Sequence, residues 1–178
     1  MSVGRKLSLK DFRQYVKKLN KNLTGHEGAV VRGVHSGLYR AITVVQRAAE
    51  QAPPASPNGS VGAVNTGAYR QAWQVETTRY GGRIWNSKAY SGVIEYGRRA
   101  GSKAPPYREI ELWARRKLGL SAEEAKRASY PIAKAIAKRG LSARKVLTSS
   151  RTESEILRVV MEEIKREVKE ALKRGGNL

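Results

Sequence analysis

The chain has 178 residues, 40% hydrophobic and 28% charged, and its 35 lysines and arginines against 15 acids give a formal net charge of +20. That length holds one compact domain with appendages, or two small ones, and the composition is that of a chain with a buried core. The absence of cysteine excludes disulfides, thiol catalysis and Cys-based zinc sites, and the charge favours polyanions or acidic protein faces as partners. The opening MSVGRKLSLKDF lacks the apolar core of a secretory leader, and no apolar run approaches the ~18 residues of a membrane span. A soluble protein made inside a cell is therefore expected.

In chain order, Leu9, Phe12, Val16 and Leu19 fall near one helical face and predict a short amphipathic helix over 8–23. Val30, Val34, Leu38, Ala41, Ile42, Val45 and Ala49 recur at three- and four-residue steps and predict a long helix over 27–51. Gly33, Gly37 and Ala41 repeat every four residues within it. Glycine costs a helix about 1 kcal/mol relative to alanine, so that row is either a tolerated defect or a place where another backbone comes close. The stretch PPASPNGSVGAVNT, 53–66, reads as a long loop.

Residues 72–77 alternate toward a strand, Gly81-Gly82 is a hairpin signal, and Arg83-Ile84-Trp85 begins a return strand. Ser91 to Tyr96 reads as a third strand, making a small antiparallel sheet that helix 27–51 can cover on one face. A basic loop follows, with Arg98, Arg99 and Lys103 closed by Pro105-Pro106. Ile110, Trp113, Ala114 and Leu118 mark a helix ending at Gly119. Ser121 and Glu124 fit a capping box for the next helix, and Pro131 is expected to open a fresh one running to Arg139. Lys145 to Leu147 reads as a last short strand.

Thr152 and Glu155 fit a second capping box, opening a helix to about Lys173. Leu157, Met161, Ile164 and Val168 form an a/d-like seam, and Glu162 with Arg166 and Glu170 with Arg174 are i,i+4 pairs. The seam can pack on its own domain or on a neighbouring subunit.

The inventory of reactive groups argues against an enzyme. Asp11 is the single aspartate, and His26 and His35 stand nine apart with no evident acid or nucleophile beside them. Metal-dependent nucleases converge two or more carboxylates on their ions. No Walker-type or dinucleotide-binding glycine motif is present, and neither cofactor nor metal is expected. The cations are unevenly placed. Residues 126–145 hold Lys126, Arg127, Lys134, Lys138, Arg139, Arg144 and Lys145 with no acid, whereas the segment from Arg151 onward has seven bases and six acids. Arg127, Lys134 and Lys138 could lie along phosphates. Nothing resembles a base-reading module, so such contact would be to backbone and not to sequence.

The segments TGAYRQAWQVE, IWNSKAYSGVIEYG, the basic loop with APP, IELWARRKLGL and YPIAKAIAKRGLSARKVL together resemble the tail-completion, or head–tail connector, proteins of tailed bacteriophages. The matching positions are Thr66-Gly67, Trp73, Asn86, Tyr90, Val93, Glu95, Gly97, Pro106, Ile110, Trp113, Ile132, Ala133, Ile136, Gly140 and Leu147. The likeness covers about 28–150; no single motif is specific, but their order and spacing are. Ala68 and Ala72 depart from the leucine and serine more common in the family, and the charged segment after 147 has no counterpart in the pattern. The resemblance implies a non-enzymatic virion part that forms or completes a ring, commonly sixfold and twelvefold in the alternative, at the neck or the head-proximal tail end. Its partners would be itself, neighbouring neck or tail-tube proteins, and passing DNA through backbone charge only. It implies a virion location, reached from host cytoplasm during assembly, with no membrane. It makes loop 97–106 an adaptable arm whose Arg98, Arg99 and Lys103 meet an acidic partner face or DNA, with Glu95 either paired to an arginine or exposed at an edge.

The expected fold is α+β: a small antiparallel sheet packed by a long helix, with additional helices and a long C-terminal helix. Three segments are expected: 1–25 helical, 26–150 an α+β core, and 151–178 a charged amphipathic helix. The competing function is a basic nucleic-acid-binding protein without sequence preference.

Overall fold

A computed structural model describes residues 9–23, 27–52 and 67–175. The fold is α+β, with a two-stranded antiparallel sheet among helices and a long C-terminal helix. In order these are α1 (Leu9–Asn22), α2 (Glu27–Gln51), α3 (Ala68–Gln71), β1 (Trp73–Thr78), β2 (Gly81–Asn86), α4 (Ser91–Tyr96), α5 (Tyr107–Leu118), α6 (Ala122–Arg139) and α7 (Ser150–Gly175). None of the described helices is long and apolar enough to cross a membrane. Loop 53–66, Thr66 and His26 lie outside the described residues.

The chain divides into two compact units that cut across the three expected segments. The first gathers Met1–Ala48, Trp73–Ser87 and Leu147–Leu178; the second gathers Ala49–Ala72 and Lys88–Val146. The C-terminal helix is thus no separate appendage but part of the first unit.

In the first unit, α2 buries Val30, Val34, Leu38, Ala41 and Val45, the row expected from its periodicity, and α1 buries Phe12 and Val16. The glycine row explains how α7 fits. A Cβ on Gly33 would stand 2.5 Å from Ile164 Cα, and one on Gly37 would stand 2.6 Å from Val160 Cα. The two helix backbones therefore touch where α2 has no side chains, so the row marks a close approach and not a defect. Val160 and Ile164 line that contact from α7, and both are buried, as is Ile156.

The hairpin pairs Trp73 with Asn86 through Thr78 with Gly81. Its two-residue turn is Arg79-Tyr80, two positions earlier than the Gly81-Gly82 signal suggests. Gly82 is instead a strand residue whose missing side chain leaves room for Leu38 Cδ1 of α2, which a Cβ would approach to 2.7 Å. His35 Nε2 lies 3.0 Å from the Thr78 carbonyl, tying α2 to the end of β1.

Several expectations are corrected. Ser91 to Tyr96 is helix α4 and not a third strand. Val93, Ile94 and Glu95 all turn inward to some degree and Glu95 is buried; a strand would send the middle one outward. Amides of Val93 and Ile94 donate to the Tyr90 carbonyl, and that of Gly97 to Val93. Lys145 to Leu147 is no strand: Lys145 sits at φ 47°, outside strand geometry, and a turn over 146–148 follows it. Pro131 does not open a new helix: α6 runs unbroken through it. Pro131 and Arg127 both lie on the exposed side, so solvent can serve the Arg127 carbonyl that lacks a donor. The cap of α7 is Ser149 and not Thr152: Ser149 Oγ accepts from the Thr152 amide at 3.2 Å. Glu162 pairs with Arg158, at 2.7 Å. Arg166 turns instead to Glu163, at 2.6 Å. The capping box of α6 and the Glu170–Arg174 pair form as expected.

Candidate polyanion and assembly surfaces

The second unit is built around a crossing of two chain segments. Arg98 and Leu141 exchange both backbone hydrogen bonds, at 2.8 and 2.9 Å. A Cβ on Gly97 would stand 2.7 Å from the Ala143 amide nitrogen, and one on Gly140 would stand 2.9 Å from that of Ala100. Both glycines have positive φ, 74° and 76°, which L side chains rarely adopt. Two bare glycines thus let 97–100 and 140–143 pass in contact. The Gly101 amide adds a 2.7 Å bond to Ala137 at the end of α6.

The basic loop is therefore docked, not a free arm. Arg98 donates to the carbonyl of Lys103 and braces the loop across its own neck. Ser102 Oγ donates to the Arg99 carbonyl at 2.6 Å. Of the three loop cations, Arg98 is half-buried and spent internally, while Arg99 and Lys103 face solvent. Glu95 is neither an edge group nor exposed. It is buried beside Tyr69, whose phenol is pushed up by burial and then by the charge of Glu95, with Arg144 opposing. Burial in turn pulls the Arg144 guanidinium below its ordinary range.

Helices α5 and α6 pack closely, burying the small side chains of Ala114, Ala125, Ser129 and Ala133. The opposite side of α6 is a stripe. Arg127, Lys134 and Lys138 recur at steps of seven and four, with Tyr130 and Pro131 between them, and all five are exposed. The Tyr107 and Tyr130 ring centroids are 5.5 Å apart at a 52° tilt. Lys134 Nζ lies 4.8 Å above the Tyr130 ring. A hydrogen bond to Tyr130 holds the Lys134 ammonium above the usual lysine range, so it stays charged at any physiological pH. The three cations were legible by spacing alone. The tyrosine pair was not, because its members are 23 positions apart and meet only when α5 folds against α6.

The α7 seam divides. Ile164 is committed to the contact with α2, whereas Leu157, Met161 and Val168 are half-buried beside it. The element that sequence reasoning missed is Glu163, almost fully buried. It accepts a 2.9 Å bond from Ser36 Oγ, is paired with Arg40 and lies 2.6 Å from Arg166. Burial pushes its carboxyl up, but Ser36, Arg40 and Arg166 outweigh that and leave it below the ordinary value. Next to it, Arg32 pairs with Glu167 at 3.2 Å. The first unit also holds a cleft of about 700 Å³ lined by Phe12, Leu38, Ile84, Ile156, Leu157 and Val160, with Glu76, Tyr80 and Arg83 among its polar groups. Arg83 is already paired with Glu76 at 2.6 Å. Among the described residues, no three His, Asp or Glu side chains converge as metal ligands would.

Comparison with protein-family models gives no match, and neither does comparison with curated proteins or with solved structures.

Proposed function

We propose that the protein is a non-enzymatic structural part of a tailed-phage virion, forming or completing a ring of about six or about twelve copies at the head–tail junction or the head-proximal end of the tail. It would contact neighbouring neck or tail-tube proteins and need no cofactor. The observation that carries this reading is the order and spacing of the motif positions from Gly67 to Leu147. What supports treating that order as a fold signature is the place its residues take. Trp73, Glu95 and Ala133 are buried, and Gly97 and Gly140 are the two glycines of the backbone crossing. Tyr90, Pro106 and Trp113, by contrast, are exposed.

On this reading, the surfaces that join copies are the exposed Arg99 and Lys103 of the docked loop and the half-buried Leu157, Met161 and Val168 of α7. Docked loops order neighbours with little entropy cost, which suits a ring. The test is the native mass in high salt, where charge-driven clumping is suppressed. A second reading, a basic nucleic-acid-binding protein, is favoured by the acid-free stripe on α6. A salt series on duplex DNA separates the two: a nucleic-acid binder holds near physiological salt, and a neck part binds weakly or only through its bulk charge.

A further inference from the structure

We infer that the Tyr107–Tyr130 face of α5 and α6 is a contact surface for single-stranded nucleic acid, with bases stacking on the tyrosines and phosphates meeting Arg127, Lys134 and Lys138. This goes beyond the assembly reading and stands without it.

Three observations carry the inference. First, two aromatic rings sit against each other at the surface with about half of each side chain exposed: 47% for Tyr107 and 50% for Tyr130. Lys134 sits over one side of the Tyr130 ring, and the ring surface left open on both tyrosines stays in water, a cost that a stacking partner removes. Second, the rings lie within a line of cations. From Arg127 to Lys138 the stripe runs about 16 Å along the helix, a run that can follow several phosphates. Third, no acid occurs between Ala125 and Ser149, so α6 offers an anion nothing to repel it beyond Glu123 and Glu124 of its first turn; on α5, Glu109 and Glu111 near Tyr107 are outnumbered by Arg108, Arg115, Arg116 and Lys117.

The tyrosines decide which polyanion fits. In a duplex the base faces are stacked on one another, leaving only base edges and phosphates open to a helix. An acidic peptide would use the cations but has no flat face for the rings. An unpaired base offers a free face, and a positively charged track with interleaved aromatic rings is the common solution for single strands. The contact is sequence-tolerant, because every base has such a face.

The test is fluorescence anisotropy of a labelled oligothymidylate of about sixteen nucleotides, beside a duplex of the same length, with the full chain and across a salt series. The expected result is that Y107A/Y130A weakens oligothymidylate binding about tenfold or more, with the salt slope and duplex binding unchanged. Y107F/Y130F should bind as the unaltered protein does. R127Q/K134Q/K138Q should lower the single-strand salt slope by about 2. All of these side chains are exposed, and unchanged circular dichroism establishes that each variant is folded. The inference is overturned if Y107A/Y130A binds oligothymidylate normally, or if it loses single strand and duplex alike. It is also overturned if the unaltered protein does not bind the oligonucleotide, or if polyglutamate at equal charge displaces it as well as unlabelled oligothymidylate does. None of these outcomes bears on oligomeric state, so this surface and the ring can fail separately.

Discussion

Replacing Gly33 by alanine should destabilise the protein, although alanine is the better helix former by about 1 kcal/mol. The reason is the distance to α7. The new Cβ would stand 2.5 Å from Ile164 Cα, 2.9 Å from Ile164 N and 3.1 Å from the Glu163 carbonyl. These are backbone atoms that cannot swing away. Restoring an ordinary contact of 3.4 Å or more requires the helices to part by about 1 Å, which loosens the tightly packed core in which Val34, Val160 and Ile164 are buried. Overpacking of this kind costs about 1–3 kcal/mol, and the propensity gain offsets part of it. A net loss of up to about 2 kcal/mol, at about 2–4 °C per kcal/mol for a chain of this size, lowers Tm by up to about 8 °C. G37A, at 2.6 Å from Val160 Cα, should do the same. Gly28 is the internal control: it lies on the same helix, but a Cβ there would meet only the flexible Arg32 side chain, at 3.2 Å. G28A should be neutral or slightly stabilising. The assay is urea unfolding with thermal melting as a second probe. If G33A and G37A match or exceed the unaltered protein while G28A behaves the same way, the α2–α7 backbone contact is wrong.

Three further outcomes follow from the same structure. Because the Glu163 carboxyl is held below its ordinary value of about 4.5, its contribution is present above that pH and is lost as pH falls through the lower folded value. E163Q should therefore cost about 1–3 kcal/mol at neutral pH, and the gap to the unaltered protein should narrow on acidification below about pH 4.5. A gap independent of pH refutes this. S121A removes the side chain that accepts from the Glu124 amide at 3.3 Å and should cost about 1 kcal/mol, read as faster amide exchange in the first turn of α6. G140A places a side chain at φ 76° against the 98–100 backbone and should cost about 2 kcal/mol or more, seen as a lowered Tm; an unchanged Tm would refute the crossing.

The long helices were legible because their apolar steps are repeated many times: α2 matches its expected bounds, and the Ser121–Glu124 box sits where the spacing put it. The hairpin strands were legible too, but the other short elements were not. Val93 and Ile94 favour strands as residue types, and it takes their amide bonds to the Tyr90 carbonyl and the burial of Glu95 to show that the segment turns as a helix. Pro131 was read by its local cost, which the exposed side of α6 makes tolerable. The glycine row at 33 and 37 was visible, but sequence could not say which partner it admits; Ile164 and Val160 are more than 120 positions away. The loop cations looked free because the brace from Arg98 to the Lys103 carbonyl and the crossing at Gly140 are tertiary. Glu163 was hidden for a similar reason: on the helix it is one acid among six, and only Ser36 and Arg40 make it special.

The most direct measurement of the assembly reading is native mass by multi-angle light scattering in high salt, over a range of protein concentration. The expected result is one discrete closed species of about six or about twelve copies of the 19.7 kDa chain. A monomer that persists at the highest concentration, or a continuous spread of sizes, would contradict the ring.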